Sequence, residues 1–343
     1  MASNSSRSPP AGPPPSRNYL DRARGAGESS SDAASAAPQQ LVRSYLVWPA
    51  RNTFCCWGHC MTGPTEDLWP NTCAWFTILI PMILFLYTWA GTLMRVSQSL
   101  LWLVLVTFGS TIFWFMATAF TDPGVIPRST EPVAKPAPPL YRERIDDDGA
   151  IVTDTWCHTC RVYRPPRASH CSDCDNCVRD FDHHCPFTRN CIGSRNYSFF
   201  IAFLVSVSAS LGLLLACCLM LAGIPRPAAD VEDPNATAGG SSVDPGSLEL
   251  LGLGPLINSV LVVFAVVLSL PLWTFTGYHV ALVVSGFTTK EHLKGRKNGA
   301  KRLLCSRISC CTVTPSLLEP RKLVPLGSGR RDSYPPIVSH AML

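Results

Sequence analysis

The sequence predicts a membrane all-α protein, with four transmembrane helices and a Cys-rich domain inserted between the second and third. Composition is the first observation behind this. Apolar residues make up 47% of the 343 and charged residues only 15%, against about 25% charged in an ordinary globular domain. The second is clustering: four stretches free of Asp, Glu, Lys and Arg each reach the roughly 20 residues needed to cross a bilayer. The third is a run of closely spaced cysteines and histidines that begins at Cys157.

The expected spans are Ala74–Met94, Leu100–Phe120, Ser198–Ala222 and Pro255–Ser285. Core helices of a soluble protein rarely run this long without a charge. The fourth stretch is overlong and contains Pro271, which predicts a kink or a cytosolic extension. Orientation follows from Lys and Arg, which accumulate on the cytosolic side. Six precede the first span, ten lie in residues 121–197 and eleven follow Ser285, whereas the other two loops hold only Arg95 and Arg226. Both termini and the Cys-rich loop are therefore expected in the cytosol.

The remaining segments follow from these. Residues 1–50 are rich in Ser, Pro and Ala and are expected to be a disordered cytosolic segment, without the apolar core of a signal peptide. Residues 51–73 form a pre-membrane segment, and 121–197 a cytosolic loop whose Cys-rich domain spans about 154–204. Residues 223–254 form a lumenal loop carrying Asn235-Ala236-Thr237, a glycosylation acceptor triplet. Residues 286–343 are a cytosolic tail. Nothing in this pattern points to nucleic acid; the bilayer is the expected partner. Cys55, Cys56 and Cys60 before the first span, and Cys305, Cys310 and Cys311 after the fourth, are candidate acylation sites, with a small metal site as the competing reading.

The central loop reads CHTCRVYRPPRASHCSDCDNCVRDFDHHCPFTRNCIGSRNYSFF from Cys157 to Phe200. It offers eleven potential ligands: Cys157, Cys160, Cys171, Cys174, Cys177, Cys185, Cys191, His158, His170, His183 and His184. Tetrahedral zinc sites take four Cys or His ligands each, often from CxxC pairs. Two closed sites use eight and leave three spare. A spare thiol beside a histidine and an acid is the usual composition of an activated nucleophile, and Asp182-His183-His184-Cys185 supplies all three types. The alternative is a zinc-finger adaptor or ubiquitin-ligase-type binding module, in which these residues only bind metal.

The whole segment resembles the Cys-rich domain of the DHHC protein S-acyltransferases, or palmitoyltransferases. The family pattern matches at Cys157, Cys160, Arg164-Pro165, Arg167, His170-Cys171, Cys174, Cys177, Asp182–Cys185, Cys191, Asn196 and Phe200. Asp122-Pro123-Gly124 and Thr288-Thr289-Lys290-Glu291 resemble the family's DPG and TTxE motifs. The resemblance implies one zinc on Cys157, Cys160, His170 and Cys177, and a second on Cys171, Cys174, His184 and Cys191. It also implies Cys185 as nucleophile, His183 as its base and Asp182 as the group orienting His183. Palmitoyl-CoA would be the acyl donor, and membrane-associated proteins with cytosolic cysteines the acceptors. Arg179, Arg189, Lys290 and Lys294 are candidates to meet the CoA phosphates. Residues 51–56 resemble the Golgi and ER branch that includes Ras-acylating members, some of which work with a small accessory subunit. Two departures stand out: Phe187 replaces the usual Trp after Pro186, and the C-terminal Asn-aromatic motif is reduced to Asn298.

Overall fold

The computed structural model describes residues 41–132, 136–146, 149–222, 253–295 and 316–325. Four long helices carry the apolar stretches: α1 (Leu68–Val96), α2 (Gln98–Phe120), α3 (Tyr197–Leu221) and α4 (Leu253–Ser285). A backbone in hydrocarbon must satisfy every N–H and C=O within itself, and the helix does so locally. No more than 28% of the residues in any of the four apolar windows are buried. Their remaining apolar surface, including Trp102, Val106, Val263 and Leu270, therefore faces outward, as lipid contact requires.

Helix α1 begins upstream of the expected span, at Leu68, because Trp69 and Pro70 are compatible with a first helical turn. Helix α4 runs 33 residues, unbroken through Pro271. At 1.5 Å per residue it is about 50 Å long, more than a bilayer core of about 30 Å. Between the helices, Phe85, Trp89 and Leu93 of α1 pack with Leu214, Cys218 and Leu221 of α3 and Leu261 of α4. Polar pairs cross these interfaces and that between α2 and α3. Trp89 Nε1 donates to Asn258 Oδ1 (3.0 Å), Asn258 Nδ2 to the Cys218 carbonyl (3.3 Å), and the Thr111 and Ser210 hydroxyls meet at 3.0 Å. In lipid such bonds hold helices together that hydrophobicity alone does not.

The Cys-rich domain is built of short antiparallel strands joined by tight turns. Strands 169–171 and 176–178 pair with His170 opposite Cys177, and strands 183–185 and 190–192 pair with His184 opposite Cys191. Strand 125–126 joins the edge of 176–178, which fastens the domain to the end of α2. Here Asp122 Oδ1 accepts from the amides of Gly124 and Val125 (both 2.9 Å) and Oδ2 pairs with Arg195 (2.9 Å). Gly124 has φ +106°, and a Cβ there would collide with the Ser194 hydroxyl. The Asp-Pro-Gly sequence thus makes a turn that no bulkier residue fits.

The polar flanks are more structured at their inner ends than the composition implied. Strand 41–43 pairs with strand 323–325, and Leu318 packs against the cluster around Cys171 and Cys174. Asn235, Asn298, Cys305, Cys310 and Cys311 lie outside the described residues.

Candidate active site and metal centres

Strand periodicity explains the spacing of the ligands. Successive side chains on a strand point to opposite faces, so neighbouring residues His170 and Cys171 enter different clusters. The first cluster gathers Cys157, Cys160, His170 and Cys177, and the second Cys171, Cys174, His184 and Cys191, each set with its ligand atoms within 4.8 Å of one another. His170 Nδ1 lies 3.7 Å from Cys157 Sγ, 3.4 Å from Cys160 and 3.8 Å from Cys177. His184 Nδ1 lies 3.5 Å from both Cys174 and Cys191. Each imidazole turns its other nitrogen to a carboxylate: His170 Nε2 to Asp175 (3.5 Å) and His184 Nε2 to Asp67 (2.7 Å). That carboxylate–imidazole–metal arrangement fixes the tautomer that metal ligation needs. Two closed three-Cys, one-His sets with oriented imidazoles can each hold a metal ion.

The same alternation separates His184 from its neighbours. His183 and Cys185 share one face of strand 183–185 while His184 faces its cluster. Cys185 belongs to none of the Cys/His clusters among the described residues. It is buried against Ile192, Tyr197, Phe200 and Val283, where the domain meets α3 and α4.

The catalytic candidates form a connected series. Asp182 is 2% exposed, and its Oδ2 lies 2.8 Å from His183 Nδ1. Its oxygens also accept from the Thr289 amide (2.9 Å) and hydroxyl (2.6 Å). The His183 imidazole interacts in turn with the Cys185 thiol, which shares its face of the strand. Burial works to raise Cys185, yet the interaction with His183 and its charge, with a smaller contribution from Thr188, draws its titration below the ordinary thiol value. Burial would lower His183, but the Asp182 and Cys185 interactions outweigh it and raise it to about 9. These opposite shifts favour a thiolate–imidazolium pair.

Thr289 belongs to helix α5 (Thr289–Leu293), which follows α4 directly. Thr288 and Glu291 form a capping box, and Glu291 also pairs with Arg167 at 3.1 Å. The Thr-Thr-Lys-Glu sequence therefore caps a helix, holds Asp182 and binds the domain to α4. Replacing Thr289 by Val removes a hydroxyl bond to a charged group, worth about 1.5–3 kcal/mol. A roughly 10- to 100-fold fall in the rate of Cys185 modification is expected, measured against unchanged metal content.

Several further residues contribute; of these Asp67, Thr188 and Asn190 carry no legible signal in the sequence, whereas Asn196 belongs to the family pattern. Thr188 is buried and its hydroxyl donates to the Cys185 carbonyl (3.3 Å), and Asp67 supports His184 from a position 117 residues away. Asn190 Nδ2 donates to the carbonyls of Ala119 (3.1 Å) and Thr121 (2.9 Å), closing the end of α2, and Asn196 donates to Thr118 (3.1 Å) and Cys191 (2.9 Å). His279, buried in α4 with its ring 5.9 Å from His183, did offer a signal. An ionisable residue in an apolar helix is a functional candidate by default. Asn190→Ala is expected to destabilise the fold by about 1–3 kcal/mol, read as a lowered unfolding temperature in detergent.

The basic candidates divide. Lys290 and Lys294 line a cavity of about 400 Å³ with Asp182, His183 and Phe181. Arg189 is instead committed to the pre-membrane segment, donating to the Pro64 carbonyl (2.7 Å) and Thr53 hydroxyl (3.0 Å). Phe187 is 59% exposed, and the bond at this position runs from Asn71 to its main-chain carbonyl (2.7 Å). The Trp-to-Phe departure thus leaves both that bond and the catalytic series in place.

A four-helix membrane protein with paired Cys/His metal clusters and a separate Asp–His–Cys series is the class these features define. Residues 151–296 match the family model for DHHC palmitoyltransferase. Palmitoyltransferase ZDHHC9 of Pongo abelii is 32% identical over 326 residues, covering 84% of this chain and 82% of the relative. The Homo sapiens ZDHHC9 is 31% identical over the same shares. Palmitoyltransferase ZDHHC5 of Rattus norvegicus is 32% identical over 76% of this chain but 35% of its own length. The chain belongs to the DHHC palmitoyltransferase family.

Proposed function

We propose that this membrane protein is a protein S-palmitoyltransferase whose acyl carrier is Cys185. The observation that carries the reading is a buried thiol outside both metal clusters, on the same strand face as a histidine that a buried aspartate orients. An adaptor that used these residues only as ligands has no need of that series.

His183 takes the proton of Cys185, and the thiolate attacks the thioester carbonyl of a long-chain acyl-CoA. A new thioester forms on Cys185 and the carbon–sulfur bond to CoA breaks, with the proton passing to the departing CoA thiolate. An acceptor cysteine then gives its proton to His183 and attacks the acyl-enzyme, which returns Cys185 as the thiol. Asp182 keeps His183 Nδ1–H directed inward, so that Nε2 faces the sulfur.

Two zinc ions, one on Cys157, Cys160, His170 and Cys177 and one on Cys171, Cys174, His184 and Cys191, would supply a structural crosslink. All four positions of each are taken by protein, which supports a role in holding the domain rather than in activating substrate. Lys290 and Lys294, beside the triad, suit the CoA phosphates. A cleft of about 490 Å³ between α2 and α3 is lined by Trp114, Ile201 and Val205 and reaches Val283, which also packs against Cys185. It suits the acyl chain, whose burial contributes about 0.8 kcal/mol per CH₂.

The distribution of Lys and Arg supports cytosolic termini and a cytosolic Cys-rich domain. The resemblance of residues 51–56 supports a Golgi or ER membrane, acceptors such as membrane-associated Ras-like proteins, and a small accessory subunit. Incubating purified full-length protein with labelled palmitoyl-CoA is expected to leave a hydroxylamine-sensitive label on the chain, which an acceptor protein with a membrane-proximal cysteine then removes. A folded, metal-loaded protein that takes no label overturns the reading.

A further inference from the structure

We propose that Cys55, Cys56 and Cys60 form a third metal site, holding a soft thiophilic ion, Zn²⁺ or Cu⁺, through three thiolates. The three Sγ atoms lie within 4.8 Å of one another, the same compactness as in the two Cys/His clusters. The local fold produces this convergence. Strands 53–55 and 60–62 are antiparallel, with Cys55 directly opposite Cys60. Between them Cys56, Trp57 and Gly58 take φ of 49°, 60° and 86° in succession, which folds Cys56 back over the pair.

Such a run is costly for side-chain-bearing residues, and it has counterparts in this chain. Arg161 (φ 54°) follows Cys160 and Asp175 (φ 55°) follows Cys174, so each Cys/His cluster also has a left-handed residue directly after its second cysteine. A side chain at Gly58 would be strained: its Cβ would lie 2.8 Å from Tyr45 Cδ1 at positive φ. The loop is therefore held in the shape that gathers the thiols.

The donor set selects the ion. Three thiolates without a carboxylate suit Zn²⁺ or Cu⁺ and not Mg²⁺ or Ca²⁺. Arg189, bonded to Thr53 at 3.0 Å, brings positive charge to the strand that carries Cys55. Cys56 is exposed, which leaves room for a fourth ligand from solvent if the ion is zinc. The ion would brace the hairpin that Thr62 fastens to the Arg189 carbonyl (2.7 Å), just upstream of Asp67, the carboxylate behind His184. This assignment does not depend on acyl transfer.

The test uses the full-length protein, reduced and desalted, with metal per chain measured by plasma mass spectrometry and thiol access by alkylation and peptide mapping. The expected result is three metal ions per chain, falling by one in Cys56→Ser and in Cys60→Ser. In the unmutated protein, Cys55, Cys56 and Cys60 should resist alkylation together until a chelator is added. Zinc or copper is identified by which element falls by one. Two ions per chain, or free alkylation of these thiols before chelation, overturns the proposal. So does protection that hydroxylamine lifts, which means acylation, or that only a reductant lifts, which means a disulfide. The alkylation arm needs no variant and decides the matter even where a substitution unfolds the chain.

Discussion

Cys185→Ser is expected to abolish the acyl-enzyme to the limit of detection while both metal clusters keep their ions. A serine hydroxyl in this position is far less acidic than the thiol it replaces, so His183 cannot draw it into an anion as it can the thiol. Losing the nucleophile of a covalent mechanism costs at least about 10³-fold and often more. The substitution is nearly isosteric, and Cys185 lies outside each of the clusters, so the fold has no reason to fail. The informative measurement is label and zinc on one preparation. Label lost with zinc retained is the expected pattern. Zinc lost along with it would make Cys185 a ligand and sink its assignment as nucleophile.

His184→Ala is expected to behave in the opposite way, losing one zinc per chain and, with it, the ordered domain. Apparent zinc-binding free energies in small structural sites are about 10–16 kcal/mol, comparable to or larger than the whole stability of a typical domain, about 5–15 kcal/mol. The second cluster would be left with three cysteines, and Asp67 with no partner at the far side of the imidazole. Activity should fall with the metal, and increased proteolysis of the loop should accompany it. Asp67→Asn is the milder companion. Weakening the carboxylate behind the ligand is expected to lower metal affinity by about 10- to 100-fold, read by competition with a chelator, while the catalytic series stays intact at saturating zinc. Full retention of zinc by His184→Ala would remove His184 from the ligand set.

These two substitutions fall at adjacent positions, and their contrast marks how far the sequence could be read. Ligand counting across the loop leaves some thiols and imidazoles over, without saying which. The family resemblance singles out Cys185. The physical reason for the separation is that residues 183–185 form a strand, which throws His183 and Cys185 to one face and His184 to the other. Nothing in a window of four residues announces a strand this short. Its pairing partner, residues 190–192, creates it.

The motif flanking the fourth helix is similar. Thr288-Thr289-Lys290-Glu291 is recognisable as a pattern and as a capping box, but its bond to Asp182 spans 107 residues. Asp67, Thr188 and Asn190 lie further from legibility still. Each is an ordinary polar residue whose role comes entirely from what the fold brings against it.

What the sequence determined by itself is the class of molecule and its parts. Four uncharged apolar stretches become helices because lipid offers the backbone no other local solution. Cysteines and histidines at short intervals become metal clusters because a tetrahedral ion needs four of them close together. Both are consequences of local composition and spacing. Only the tertiary structure decided which thiol stands apart from the metals, which carboxylate orients which imidazole, and how a hairpin ahead of the first helix gathers three more thiols. Those are contacts between segments up to more than a hundred residues apart, and they exist only once the helices and strands have closed on one another.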